Sequence, residues 1–311
     1  MNLSVLIFGI SGFVGGYLAK EFFSNNYEVY GSDLFKSASI QDHVRFAGAD
    51  IRDATQTAQM IKDTRPTYIV NLTAISSVAQ SWKIPQMTME INAIGTLNIL
   101  EGIKKYSPDS GLLLIGSSEQ YAASDTPIHE QSLITAGSPY GISKITQEKT
   151  GELYCKRYGI KVFYVRSFNH TGIGQKDSFV IPSWCRQAVS IKKGYRNSNV
   201  MTVGNLHVKR DFSDVRDIVS AYRLVLERGN PNQVYNIGSG KIYELKELLN
   251  YIISLSNTQI QVCVDKNLIR ANEPESIWCD NRLIKKETGW NNKYSIFDTI
   301  HDMYEFYLNA L

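Results

Sequence analysis

Tyr140 and Lys144 stand four residues apart in SPYGISK, so on a helix a phenol and an ammonium share one face. A phenol with an ordinary pKa of about 10 is a poor acid or base at neutral pH until a neighbouring cation favours its phenolate. Lys144 is the group that would do so. A second cluster precedes the pair: GSSEQY (116–121) follows the apolar run LLLI and sets Ser117, Ser118 and Glu119 at the end of an expected strand. Ligands of open α/β sheets bind at such strand ends, where Ser117 could hydrogen-bond the same substrate oxygen as Tyr140. Glu119 has two readings, a carboxylate that moves protons or a polar residue leaving a strand. YxxxK alone carries little weight in a chain with 18 tyrosines, and its place after GSSEQY is what gives it meaning.

A second site lies at the start of the chain. GISGFVG places Gly9, Gly12 and Gly15, with Ser11, Phe13 and Val14 between them, directly after one expected strand and at the opening of a helix. Glycines there allow a tight turn, close approach of a pyrophosphate to backbone N–H groups, and tight packing of helix on strand. Asp33 ends the second expected strand, 24 positions after Gly9. Its carboxylate could accept from both ribose hydroxyls of an adenosine and would repel a 2′-phosphate, which favours NADH over NADPH. A turn role for Asp33 is the alternative, and Lys36 nearby could accommodate a phosphate.

Both sites need a sheet to hold them. Strands are expected near 3–8, 27–31, 67–72, 111–116 and 161–166, with helices near 13–24, 86–106 and 139–158. This alternation predicts an α/β fold with a doubly wound, Rossmann-type parallel sheet. After Phe168 the regularity loosens, with helices near 214–228, 244–255 and 296–309. The expected division is a dinucleotide-binding domain of residues 1–168 with about 205–240, and a smaller, interleaved α/β substrate lobe of 169–204 with about 241–311.

Composition narrows the remaining classes. The 311 residues allow one large domain or a core domain with a lobe, and 43% hydrophobic with 20% charged residues is ordinary for a globular chain. The net charge of +3 comes from 33 basic and 30 acidic residues spread along the chain, so nothing points to nucleic acid, while a small anionic ligand fits. No apolar run reaches the roughly 18 residues of a membrane span, and VLIFGI is too short for a secretion signal, so a cytoplasmic protein without a membrane partner is expected. Cys155, Cys185, Cys263 and Cys279 form no CxxC or CxxxC pair and the histidines no HExxH, so reduced thiols and no metal site are expected.

Taken in order, GxxGxxG, Asp50-Ile51 in GADIRD, the strand end VNLTAISSV, Asn92 in INAIGTLN, Ser117 and the Tyr140/Lys144 pair resemble the extended short-chain dehydrogenase/reductase family over essentially the whole chain. The resemblance implies that Asp50 and Ile51 hold an adenine, and that Leu72, Thr73, Ala74 and Asn92 line the cofactor site. It also implies that Ser117 and Tyr140 bind the reacting oxygen, while Lys144 binds the nicotinamide ribose and lowers the pKa of Tyr140. A homodimer through helices of the cofactor domain is implied as well.

RSFNHTGIGQ (166–175), VGNLHVKRDFSDVRD (203–217) and IRANE, with Arg270 and Glu273, resemble the branch containing GDP-mannose 4,6-dehydratase and GDP-4-keto-6-deoxy-D-mannose reductase. By that resemblance Asn169, Arg210, Arg270 and Glu273, with Ser76 and Ser118, line a nucleotide-sugar pocket, and arginine forks suit a diphosphate. Dehydratases of the branch carry Thr-Ser-Glu where this chain has Ser117-Ser118-Glu119, and their Glu moves the C5 proton; similar reductases also tend to keep it. NHTGIGQ and RDFSDVRD follow the reductase pattern. The expected activity is NADH- or NADPH-dependent reduction of the C4 ketone of a GDP-4-keto-6-deoxy sugar, such as GDP-4-keto-6-deoxy-D-mannose to GDP-D-rhamnose, for a surface polysaccharide. The alternatives are the 4,6-dehydratase, or a reductase or epimerase of another nucleotide sugar. Ile173 and Ala271, where the reductase pattern has proline, and Asp33, where relatives often carry Arg or Lys, are departures.

Overall fold

Strand β1 (Ser4–Phe8) reads SVLIF and is buried at every position, the pattern of a strand covered on both faces. The computed structural model describes residues 3–38, 40–196, 198–269 and 273–311. The main sheet adds β2 (Glu28–Asp33), β3 (Val44–Gly48), β4 (Tyr68–Asn71), β5 (Gly111–Ser117) and β6 (Lys161–Ser167). Four short strands, β7 (Asn169–Thr171), β8 (Val200–Val203), β9 (Lys209–Arg210) and β10 (Phe212–Asp214), leave it before β11 (Val234–Ile237) returns beside β6. The order β11-β6-β5-β4-β1-β2-β3, with parallel pairing, is the doubly wound sheet the sequence predicts. The chain runs outward from β1 through β3, then returns to β4 on the other side of β1. That reversal opens a crevice beyond the carboxyl ends of β1 and β4.

Alternation along the strands feeds two cores. Val5 and Ile7 point to the face covered by α1 (Phe13–Ser24) and α8 (Val215–Arg228), among Leu18, Phe22, Tyr222 and Val225. Leu6 and Phe8 point to the opposite face, among Ile61 of α2 (Ala54–Thr64) and Ile99, Leu100 and Ile103 of α5 (Gly95–Tyr106). Each such side chain contributes about 1.5–3 kcal/mol on burial.

Several elements differ from the sequence reading. The helix expected at 86–106 is three pieces, α4 (Pro85–Met89), a π-helical turn (Glu90–Ile94) and α5, preceded by the short α3 (Val78–Lys83). Strand β3 was not anticipated because VRFAG, at the edge of the sheet, buries only Val44 and shows no apolar alternation. Helix α7 (Val180–Lys192) was not anticipated because Pro182 reads as a breaker, although proline is tolerated in a first turn. Helix α2 starts at the Asp53 cap, whose carboxylate accepts from the N–H groups of Thr55 and Gln56.

The smaller lobe has its own core. Trp184 and Ala188 of α7 meet Leu248 and Ile252 of α9 (Leu245–Ser256) and Ile300 and Met303 of α11 (Ile296–Ala310). Strand β9, inside the range expected for the dinucleotide-binding domain, joins this lobe instead: it pairs with β12 (Tyr243–Glu244) and β14 (Ser276–Ile277), and Val208 and Phe212 enter the lobe's core, while β8 pairs with β13 (Gln261–Val264). One segment inside the range given to this lobe belongs elsewhere: α10 (Arg282–Thr288) and Trp290 insert Ile284 and the indole into the α1/α8 core. The Trp290 indole N–H donates to the Asp217 carbonyl at 3.0 Å, which ties that segment to α8.

Candidate active site

The remaining helix, α6 (Pro139–Tyr158), carries the candidate catalytic residues Tyr140 and Lys144. Ser138 caps it by accepting from the Gly141 N–H at 3.1 Å, and Pro139 opens its first turn. Its sheet-facing side buries Tyr140, Ser143, Lys144, Gln147 and Glu148. Ser117 ends β5, beneath the first turn of α6. Its hydroxyl accepts from the Glu119 N–H at 3.2 Å and lies in hydrogen-bonding reach of the Tyr140 phenol. Burial pushes the Tyr140 pKa up to about 12, against the Ser117 hydroxyl, which lowers it, and with the charge of Glu119, which raises it further. Glu119 is half-buried, and its charge reaches the phenol.

Lys144 is tied to β5 and to its own helix. Its ammonium donates to the Ile115 carbonyl at 2.8 Å and to Gln147 Oε1 at 3.1 Å, 6.0 Å from the centre of the Tyr140 ring. Burial pushes its own pKa down to about 7. In this arrangement desolvation is the largest influence on both groups, raising the Tyr140 pKa and lowering that of Lys144.

The glycine loop has the shape of a dinucleotide cradle. Gly9 has φ of +79°, and a Cβ there would lie 2.7 Å from the Thr73 nitrogen; one on Gly15 would run into the Ile10 carbonyl. Gly12 is the cap of α1 with no side-chain hydrogen bond, so the N-terminal amides of Phe13 and Val14 are not capped by a side chain. The Asp33 carboxylate accepts from the Ser11 N–H at 3.1 Å and the Leu34 N–H at 2.8 Å, which fixes it beside the loop, and the Ser11 hydroxyl donates to the Phe35 carbonyl at 2.6 Å. Leu72 and Thr73 leave β4 directly under Gly9, followed by the half-buried Ala74. These features fit a nicotinamide dinucleotide, with the pyrophosphate at the α1 terminus and a ribose at Asp33.

Three of the expected cofactor residues are otherwise engaged. Asp50 holds Arg52 through both carboxylate oxygens, at 2.6–3.1 Å, and this pairing keeps its pKa below the usual range. Ile51 buries its side chain in the α5 core and offers its carbonyl to Asn98. Asn92, in the π turn, is fully buried: its amide accepts from the Ile75 N–H at 2.9 Å and donates to Ser143 Oγ at 2.8 Å. It braces the loop after β4 against α6. A π turn at such a place is a common device at functional sites.

On the substrate side, Asn169 lies in β7, registered with Phe212 of β10. Arg210 is nearly buried, donates to the Lys209 and Glu275 carbonyls at 2.8 and 3.2 Å, and pairs with Glu273 at 3.2 Å. Ser118 is buried and Ser76 exposed. Arg270 and Ala271 lie outside the described residues. The sequence reading missed four buried carboxylates among the described residues, Glu148, Asp211, Asp214 and Asp217, of which Asp211 and Glu148 matter here. Asp211 accepts from Ser239, Gly240 and Cys279, and burial pushes its pKa up to about 6. Glu148 pairs with Arg166 at 2.5 Å. Glu148 was legible in principle, since it lies on the Tyr140/Lys144 face one further turn along.

Comparison with known proteins adds an independent line. The family model described as GDP-mannose 4,6 dehydratase matches residues 6–303. The GDP-6-deoxy-D-mannose reductase of Pseudomonas aeruginosa is 33% identical over 74% of this chain and 77% of its own length. GDP-mannose 4,6 dehydratase 1 of Arabidopsis thaliana is 27% identical over 93% of this chain and 85% of its own. A solved structure of RMD from Pseudomonas aeruginosa complexed with NADPH superposes with a TM-score of 0.86 at 27% identity, over 99% of this chain and 100% of that one.

Proposed function

Because the chain belongs to the GDP-mannose 4,6-dehydratase family, enzymes of the extended short-chain dehydrogenase/reductase type, we propose that it reduces the C4 ketone of a GDP-linked 4-keto-6-deoxy sugar. A reduced nicotinamide bound in the crevice supplies the hydride. Tyr140 donates its phenolic proton to the forming alkoxide, and the Ser117 hydroxyl hydrogen-bonds the same oxygen. Lys144 would hold the ribose hydroxyls of that cofactor, and Asn169, Arg210, Arg270 and Glu273 would receive the nucleotide sugar, with Ser76 and Ser118 at its edge. Asp33 favours NADH, since its charge opposes a 2′-phosphate.

The observation that carries the reading is the similarity to a GDP-6-deoxy-D-mannose reductase at 33% identity, together with the segments NHTGIGQ and RDFSDVRD, which follow the reductase pattern. Tyr140, buried beside the Ser117 hydroxyl and protonated at neutral pH, suits the proton donor that reduction needs. On this reading the product is a GDP-6-deoxyhexose for surface polysaccharide, made in the cytoplasm.

Glu119, whose charge reaches the Tyr140 phenol, favours a second reading, the 4,6-dehydratase, in which its carboxylate moves the C5 proton. Glu119→Gln separates the two. A loss of less than about tenfold in kcat accords with reduction, whereas a loss above about 100-fold would mean that the carboxylate transfers a proton in turnover.

A further inference from the structure

The hydroxyl of Ser117 and the phenol of Tyr140 must meet at one substrate oxygen, yet they come from a strand end and from a helix. No backbone hydrogen bonding sets the rise or rotation of such a helix over a sheet, so side chains must do it. Two ties run from α6 to the end of β5. In the first, Lys144 and Gln147 donate to the Ile115 carbonyl at 2.8 and 3.3 Å. In the second, the Gln120 amide accepts from the Ser117 N–H at 2.8 Å and donates to Glu148 Oε2 at 2.9 Å. The two bonds of Lys144 leave its third N–H for a cofactor, and the second tie involves no group that a cofactor would claim.

The far end of that tie is anchored. The Arg166 guanidinium, from β6, grips Glu148 through Nε at 2.9 Å and Nη2 at 2.5 Å, with both side chains almost inaccessible. Its Nη1 donates to the Tyr121 hydroxyl at 2.7 Å and the Glu130 carbonyl at 3.0 Å, and Tyr121 donates to Asn236 of β11 at 2.7 Å. The chain thus connects α6, the turn after β5, β6 and β11. Gly116 makes room for it, since a Cβ there would collide with Gln120 Oε1 and approach the Val165 carbonyl to 2.8 Å. A buried ion pair adds little net stability over apolar residues of equal volume, because desolvation offsets the Coulomb attraction. What it supplies here is a single geometry.

We infer that Gln120, Glu148 and Arg166 are positioning residues that hold the Ser117 hydroxyl against the Tyr140 phenol and so act on the chemical step without touching substrate or cofactor. The inference rests on the reading of Ser117 and Tyr140 as the reacting pair. Misplacement of such a pair by about 1 Å costs up to about 100-fold in rate.

The test is Gln120→Met, which keeps the volume and removes both bonds. Turnover is followed with NADH or NADPH and GDP-4-keto-6-deoxy-D-mannose, and with GDP-mannose for the dehydratase direction. Rates are expressed per site that binds cofactor by fluorescence titration, so misfolded protein is not counted. The expected result is a kcat lower by about 10- to 100-fold with KM within about twofold. Should Gln120→Met fail to fold, Gln120→Leu, which also removes both bonds, makes the same prediction. Unchanged kcat per site would overturn the inference. Tyr140→Phe serves as the control. If it is inactive while Gln120→Met is normal, the positioning role alone is wrong; if it retains turnover, or the wild type turns over neither sugar, the active-site reading fails as well.

Discussion

Burial decides the protonation of both reacting groups, and it does so in opposite senses. Tyr140 is held as a phenol and Lys144 is pushed towards the free amine, with its pKa at about 7. The lysine therefore costs the fold stability. Between about pH 7 and its ordinary 10.5 the unfolded chain binds more protons than the folded one, so stability rises as pH rises through that window and is lost as pH falls towards 7. Lys144→Met does not titrate. Its melting temperature should exceed that of the wild type most near pH 7, with the gap closing towards pH 10, as measured by calorimetry across that range. A gap independent of pH would mean that Lys144 is solvated in the folded protein. Tyr140→Phe should lower kcat by at least about 100-fold while cofactor still binds. Near-normal activity would remove Tyr140 from the chemistry.

Among the elements, those legible in the sequence were the ones whose period was unbroken. SVLIF and the run before GSSEQY announce themselves as continuous apolar strands, and α8, α9 and α11 by a helical apolar stripe. The edge strand β3, the four-residue β11 and the proline-containing α7 do not, because edge exposure, shortness and a first-turn proline each erase the periodic signal. The site shows the same division. The glycine loop and the Tyr140/Lys144 spacing are local and were readable, whereas the Glu148–Arg166 pair joins α6 to β6 and exists only after folding. The glycine loop can be tested directly. Gly9→Ala would force a Cβ into left-handed backbone, at a cost of about 1–2 kcal/mol, and against the Thr73 nitrogen. Dinucleotide affinity should fall by about tenfold or more in a fluorescence titration. Unaltered affinity would place the cofactor elsewhere.

Across the whole molecule, the parallel sheet presents its carboxyl edge to the smaller lobe, and the expected substrate residues Asn169, Arg210 and Glu273 come from that lobe's short strands and connections. The opposite, outer side of α6 exposes Ile142 (47%) and Leu153 (66%) on either side of the Lys149–Glu152 pair, and Ile94 of the π turn packed on α6 is 49% exposed. We propose a homodimer through this side. Light scattering should give twice the chain mass for the wild type, and Leu153→Glu should shift it to monomer; an unshifted mass would put the interface elsewhere.

The central claim is the reaction itself. Purified protein is mixed with NADH or NADPH and enzymatically made GDP-4-keto-6-deoxy-D-mannose, the loss of nicotinamide absorbance is followed, and the sugar is identified by NMR. The account predicts stoichiometric oxidation with a C4 alcohol as product, faster with NADH. No oxidation there, together with loss of water from GDP-mannose in the absence of added reductant, would contradict it and make Glu119 the working acid and base.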